Sequence, residues 1–318
     1  MNCHICPICN GYGCVGELPG MGGFNNNINF QLNVEGWEKV AQENPFLDIA
    51  PSTLEDYDKG IFGIPNLADY PIRLGPMTGG VENVGYADEK QFYSDLIAFA
   101  HSKKIALSIG DGYPDCKLQY GIEAVKSLEN MTLKKPDKLL GKNMTSKSQS
   151  ACAAVFIKPY PDVNFLERAE WAVSANIASH IGIDIDSYNI LTMRNLVKLE
   201  KKSDKQLSYL KNVINKKYDI PFVIKGVFTK YDIELVKSIK PDIVFISNHG
   251  GRVENRIGST AEFLASFAGE IKNYCGKLWV DGGIRTEKNI QTALALGADE
   301  VIIGRPAITE MGKSNAHQ

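Results

Sequence analysis

The sequence predicts an α/β chain folded as a (β/α)8 TIM barrel with an N-terminal Cys/Gly-rich extension. Three observations carry that expectation. Eight short runs rich in Ile, Val and Leu recur from about residue 70 onward, each with room for a helix after it. The stretches between them repeat apolar residues at the three- and four-residue spacing of one helix face. Most of the runs are continuously apolar rather than alternating, which suits parallel strands covered on both faces. A doubly wound sheet is the alternative, but no G-x-G-x-x-G turn follows an early strand. Eight strand–helix units also let 318 residues form one barrel and an extension instead of two domains.

The extension spans 1–70. It opens on MNCHICPICNGYGC, passes through glycine-rich PGMGGFNNN at 19–27 and reaches a predicted helix near 34–43. The barrel spans 71–318, with predicted strands at 71–76, 104–109, 152–158, 178–184, 220–225, 242–247, 277–281 and 299–303. Helical patterns occupy 88–103, 117–130, 164–175, 188–214, 229–239, 259–273 and 286–296. The stretch 131–150 has five Lys and few apolar residues, and reads as an exposed loop. No repeat of 20–50 residues and no low-complexity tract is evident.

A hydrophobic fraction of 44% excludes wholesale disorder. Lys and Arg total 35 against 37 for Asp and Glu, so the net charge of −2 gives no electrostatic reason to expect nucleic acid as a partner. The first residues lack the basic start and apolar run of a secretory signal, and no segment approaches the ~18 apolar residues of a spanning helix. The expectation is a cytoplasmic protein without membrane association. In that reducing setting, clustered thiols act more often as metal ligands or redox groups than as disulfides. Cys3, Cys6, Cys9 and Cys14 have a spacing that suits zinc, by four thiolates or by three with His4, or an iron–sulfur cluster. A redox-active disulfide and a glycine-rich tail with plain thiols stay open as alternatives.

The barrel reading places polar residues at the C-terminal ends of strands, where such barrels carry their active sites. Strand five ends in Lys225-Gly226, and strand six runs into Ser247-Asn248-His249-Gly250-Gly251-Arg252. Strand seven ends in Asp281-Gly282-Gly283-Ile284-Arg285, and strand eight in Gly304-Arg305-Pro306. Glycines let backbone amides approach an anion and arginines bind phosphate by charge-assisted bonds, so the last two loops predict a phosphate site. His249 can move a proton near neutral pH, and Arg252 can grip a carboxylate. Together they suit removal of hydrogen beside a carboxylate.

The blocks PFVIKGV (221–227), ISNHGGR (246–252), WVDGGIRT (279–286) and ALALGADEVIIGRP (293–306) resemble the signatures of FMN-dependent α-hydroxy acid oxidases and dehydrogenases. Weaker likeness extends back through ERAEWA (167–172) and PIRLGPMTG (71–79), while the head is similar to a cysteine-headed subgroup of that family. The resemblance implies FMN across the barrel mouth. Lys225 would face the flavin, Gly282, Gly283, Arg285, Gly304 and Arg305 would hold its phosphate, and Asp281 and Ser247 would lie on that cofactor side. Pro76, Met77 and Thr78 would pass near the ring and Ser108 would touch it. His249 would be the base, Arg252 the carboxylate anchor and Asp184 the carboxylate that orients the histidine. A small 2-hydroxy acid would be oxidised to a 2-oxo acid, with an electron-acceptor partner and a homo-tetramer as the family has them.

The chain departs from that family at strand three, where the usual Gln-x-Tyr is replaced within AAVFIKPY and Lys158 or Tyr160 takes the rim; Arg194 is offset from the second substrate arginine. Two other functions stay open: an FMN-dependent non-redox isomerase of the type 2 isopentenyl diphosphate kind, and a non-catalytic flavin or metal sensor.

Overall fold

The computed structural model describes residues 28–133, 152–253 and 256–315. Eight parallel strands form the sheet: β1 (Ile72–Leu74), β2 (Leu107–Gly110), β3 (Ala153–Ile157), β4 (Ala178–Asp184), β5 (Phe222–Val227), β6 (Ile243–Ile246), β7 (Lys277–Val280) and β8 (Glu300–Ile303). Each lies within a few residues of a predicted run. Their order is β1-β8-β7-β6-β5-β4-β3-β2, so neighbours in sequence are neighbours in the sheet. The last gap is bridged at Arg73 and Ala106, where Leu74 donates its amide to Ala106 O at 2.8 Å and Ala106 donates to Ile72 O at 3.0 Å. The sheet is thereby a nearly closed barrel.

Strand side chains alternate in and out. The inward set, Ala154, Phe156, Val223, Ile243, Phe245, Trp279 and Ile302, is a separate buried cluster that fills the barrel. Phe156 meets Phe245 edge-to-face at 5.6 Å. The outward set packs under a ring of helices: α3 (Glu89–Ser102), α4 (Cys116–Leu133), α5 (Asp162–Ser174), α6 (Asp204–Tyr218), α7 (Lys230–Ile239), α8 (Thr260–Lys272) and α9 (Glu287–Ala295). Burial on both faces is why these strands read as unbroken apolar runs.

The structure differs from the sequence reading in two places. The helix expected over 188–214 is confined to α6, which starts on a capping box between Ser203 and Gln206. Residues 185–203 form turns, and Ile190 and Met193 are buried there as part of a cavity wall rather than as a helix face. The eighth helix, to which the sequence reading gave no range, is α10 (Arg305–Asn315) after β8. The helix near 34–43 begins earlier, as α1 (Ile28–Glu43), and a short α2 (Leu54–Lys59) follows it.

Helix α1 holds the extension onto the barrel. Trp37 is fully buried and its Nε1 donates to Gly282 O at 2.7 Å. Gly283 sits at φ +76°, and a Cβ there would lie 1.9 Å from Asn33 O. No other residue type lets the α1 backbone come so close to the loop after β7. The predicted ligands Cys3, Cys6, Cys9 and Cys14 lie outside the described residues, as does most of the 131–150 stretch. Among the described residues no helix is long and apolar enough to cross a membrane.

Candidate active site

A cavity of about 630 Å³ opens at the C-terminal ends of the strands. One end is cationic. Gly282, Gly283 and Arg285 reach it from the loop after β7, and Gly304 and Arg305 from the start of α10. The first amides of α10 have no intrahelical acceptors, so this helix end adds partial positive charge to the two guanidinium groups. Both arginines flank Phe30 of α1, each 5.5 Å from its ring centroid. Pro76, Met77 and Thr78 line the cavity from the turn after β1.

The other end holds a dense set of charges. Lys158 directly follows β3, Asp184 ends β4, Asp186 follows two residues on, Lys225 lies on β5 and His249 is on the turn after β6. His249 adopts φ +60°, an uncommon backbone for a non-glycine residue. Its amide donates to Ser247 Oγ at 3.0 Å and the Arg252 amide donates to its carbonyl at 3.3 Å. Asn248 anchors the same turn to α1, since Asn33 Nδ2 donates to Asn248 Oδ1 at 2.8 Å.

The neighbours of His249 select its tautomer. Asp186 Oδ1 lies 3.2 Å from Nδ1, and the Lys158 ammonium lies 3.2 Å from Nε2. A carboxylate only accepts and an ammonium only donates. The proton therefore sits on Nδ1, and the Nε2 lone pair accepts from Lys158. Lys225 Nζ is 3.4 Å from Nδ1 and acts there as a nearby charge, not as a donor. Burial, then Lys225 and Lys158, bring the His249 imidazole down to about 4, against the smaller pull of Asp186 and Asp184. The ring is thus neutral at pH 7.

Asp184 does not hydrogen-bond the imidazole in this arrangement. Its Oδ2 is 3.9 Å from His249 Nε2, beyond hydrogen-bond reach, and is bound instead by Lys158 at 2.5 Å. Lys225 pairs with Asp184 Oδ1 at 3.1 Å. Burial would raise the Asp184 carboxyl, but Lys158 and Lys225 hold it well below the usual range. The carboxylate that does reach the imidazole is Asp186, seated where a Cβ on Gly226 (φ +96°) would approach Asp186 Cγ to 2.5 Å. Two signals for it stood in the sequence: a D-x-D spacing at a strand end, which puts both carboxylates on one side, and a glycine directly after Lys225.

Of the other expected residues, Lys225, Arg252 and Asp281 line the cavity together with His249. The Arg252 side chain has no hydrogen-bond or ion-pair partner among the described residues. Burial, with Arg305 beside it, lowers its guanidinium to about 10, so it remains charged. Asp281 Oδ2 accepts from Ser247 Oγ at 3.0 Å, while Oδ1 is buried without a partner. Burial pushes the Asp281 carboxyl up to about 6, although Lys225 and Ser247 oppose that rise. Ser247 and Asp184 stand behind the cavity wall rather than in it. Ser108 is also buried, with its hydroxyl unpartnered, and does not line the cavity because β2 directs it into the barrel beside Ala154. Lys158 lines the cavity, whereas the hydroxyl of Tyr160 is buried without a hydrogen-bond partner outside that lining.

Two carboxylates (Asp184 and Asp186) and one imidazole lie close enough to ligate a cation. Lys158 and Lys225 both pair with Asp184, and their two positive charges match the two carboxylates, so the charge balance favours a neutral cluster over a metal centre.

Comparison with known proteins agrees with the fold. The family model described as FMN-dependent dehydrogenase matches residues 148–316. 2-Hydroxyacid oxidase 2 of Bos taurus is 34% identical over 98 residues, which cover 31% of this chain and 28% of that protein. L-lactate dehydrogenase of Vibrio parahaemolyticus is 41% identical over 88 residues, covering 28% of this chain and 23% of that one. The matched stretches are thus less than a third of those relatives' length. Among solved structures, a lactate oxidase of Pediococcus acidilactici superposes with TM-score 0.56 at 18% identity, covering 90% of this chain and 87% of that one. A mandelate oxidase variant gives TM-score 0.55 at 17% identity, covering 91% and 80%. These structures share the fold, and the family model, which spans more than half of the chain, gives the assignment: the chain belongs to the FMN-dependent dehydrogenase family.

Proposed function

We propose that this chain binds FMN in the strand-end cavity and oxidises a small 2-hydroxy acid to the 2-oxo acid. The observation that carries the reading is His249, a cavity-lining residue whose Nε2 accepts from Lys158 while Asp186 fixes Nδ1–H. The residues present fit the cofactor. Arg285, Arg305, the two glycine loops and the start of α10 suit a phosphate. The unpartnered Oδ1 of Asp281 suits the hydroxyls of a ribityl chain, and buried Lys225 suits the electron-rich edge of a reduced isoalloxazine. FMN, when bound, supplies a two-electron acceptor.

The chain's own residues then divide the work. Arg252 holds the substrate carboxylate through its planar fork. His249 takes the hydroxyl proton at Nε2, which makes it imidazolium. Asp186, paired to Nδ1–H, stabilises that charge and prevents the ring from turning. Desolvation strengthens each of these contacts relative to water. Lys225 keeps its proton, because Asp184, Asp186 and Asp281 outweigh the burial that would remove it.

The direct test is spectroscopic. Purified protein is loaded with FMN and mixed anaerobically with lactate, glycolate and longer 2-hydroxy acids. Bleaching of the flavin band near about 450 nm is expected, as the cofactor's own redox change. Retained flavin with no bleaching by any of these acids would leave the isomerase or sensor readings. The rest of the proposal is a cytoplasmic homo-tetramer that passes electrons to an acceptor and carries zinc or an iron–sulfur cluster on its N-terminal cysteines. Size-exclusion chromatography with light scattering, and metal analysis of wild type against a Cys3→Ser/Cys6→Ser variant, check those parts.

A further inference from the structure

Lys158 directly follows β3, at the end of the strand where the cavity opens. Its side chain is 7% exposed yet lines the cavity. An ammonium has three donors. One is engaged by Asp184 Oδ2 at 2.5 Å and one by His249 Nε2 at 3.2 Å; the third has no partner among the described residues. A buried ammonium with a spare donor, one hydrogen bond away from the atom that accepts the proton, is placed to hold the oxygen from which that proton leaves.

We propose that Lys158 contacts the substrate directly, donating to the 2-oxygen of the hydroxy acid; this rests on the reading of the site as a 2-hydroxy acid oxidising centre. The hydroxyl displaces the Lys158–Nε2 hydrogen bond, so that its proton faces the freed Nε2 lone pair while Lys158 donates to its oxygen. The O–H proton passes to Nε2, and the O–H electron pair stays on oxygen to form the second C–O bond. FMN, when bound, would supply the two-electron acceptor for the C2 hydrogen and its C–H pair. The contribution of Lys158 is to stabilise negative charge as it develops on that oxygen. Asp184, paired to both lysines, keeps this extra cation affordable in a buried site and fixes its position.

A purely structural role would have Lys158 neutralise Asp184 and nothing more. The two roles separate in FMN-loaded wild type, Lys158→Met, Lys158→Arg and the charge-balanced pair Lys158→Met/Asp184→Asn. The readouts are calorimetric binding of oxalate, which carries an oxygen in place of the substrate's 2-oxygen, and kcat and KM for flavin reduction. Substrate contact predicts oxalate binding about 10-fold weaker and kcat about 100-fold lower in Lys158→Met, with neither restored in the double variant. Oxalate affinity and kcat within twofold of wild type, or their recovery in the double variant, overturn the proposal. Should Lys158→Met fail to fold, Lys158→Arg keeps the partner of Asp184. Its longer fork displaces the donor, and an unchanged kcat there overturns the proposal as well. A wild type that neither binds oxalate nor is reduced by any 2-hydroxy acid sinks the underlying reading and this proposal together. A normally reduced wild type with an unaffected Lys158→Met sinks the proposal alone.

Discussion

The imidazole of His249 is neutral because it is buried beside two ammonium groups, and that decides how the site responds to substitution and to pH. Removing the base, as in His249→Asn, should leave FMN bound and abolish its reduction by 2-hydroxy acids. Asp186→Asn should lower kcat by up to roughly 10,000-fold, the loss expected when a histidine is left in the wrong tautomer. Steady-state kinetics on variants with confirmed flavin content checks both. Because the folded imidazole titrates near about 4, below the ordinary 6.5, kcat/KM should hold as pH falls and drop only as His249 protonates. Asp281 shifts the other way, up to about 6 from the ordinary 3.8. Its protonated form is the one favoured by folding, so its contribution is present below pH 3.8 and is lost as pH rises through about 6. Asp281→Asn should therefore stabilise the flavin-free protein at pH 8 by roughly 2–3 kcal/mol and do little at pH 4. It should also weaken FMN retention. Thermal melts across pH, with flavin content measured in parallel, test the pair of outcomes.

At the scale of elements, α1 is an addition to the barrel that the site depends on. Asn33 joins it to Asn248, Trp37 to Gly282, and the Asn33 carbonyl rests against Gly283. Gly283→Ala forces a Cβ into that carbonyl at a φ of +76°, so α1 must move. The expected outcome is a folded barrel by circular dichroism that no longer retains FMN, with faster hydrogen exchange confined to α1 and the loop after β7. The α6 region teaches a different lesson. Periodicity alone suggested a helix across 188–214, yet Ile190 and Met193 serve the cavity wall. The start of α6 was legible in a cue of another kind, the Ser203-x-x-Gln206 capping box.

At the scale of the molecule, closure of the barrel rests on few atoms. Between β1 and β2 there is one bridge, and Arg73 supports it from within. Its guanidinium forks onto Glu300 at 2.8 and 3.0 Å, donates to Leu107 O at 2.7 Å and lies 4.6 Å from the Trp279 ring centroid. One side chain thus ties β1, β2, β7 and β8 together. Arg73→Met leaves the Glu300 carboxylate largely buried and unpaired, which should cost roughly 3–5 kcal/mol. Adding Glu300→Gln should recover part of that loss. Urea unfolding of the two variants measures the difference directly.

The sequence by itself determined the eight strands, because strands buried on both faces must be continuously apolar. It also determined the glycine and arginine loops and the His249–Arg252 turn, because phosphate and carboxylate chemistry allows few residue types at strand ends. Tertiary structure alone decided which carboxylate reaches His249. Asp184 and Asp186 are chemically identical and two residues apart, and the choice between them depends on Lys158 and Lys225 claiming the first and on the missing side chain of Gly226 admitting the second. It also decided that Lys158 enters the cavity while Ser108 turns into the barrel. Such outcomes are set by distances between strands far apart in the chain, and no local pattern of residues encodes a distance.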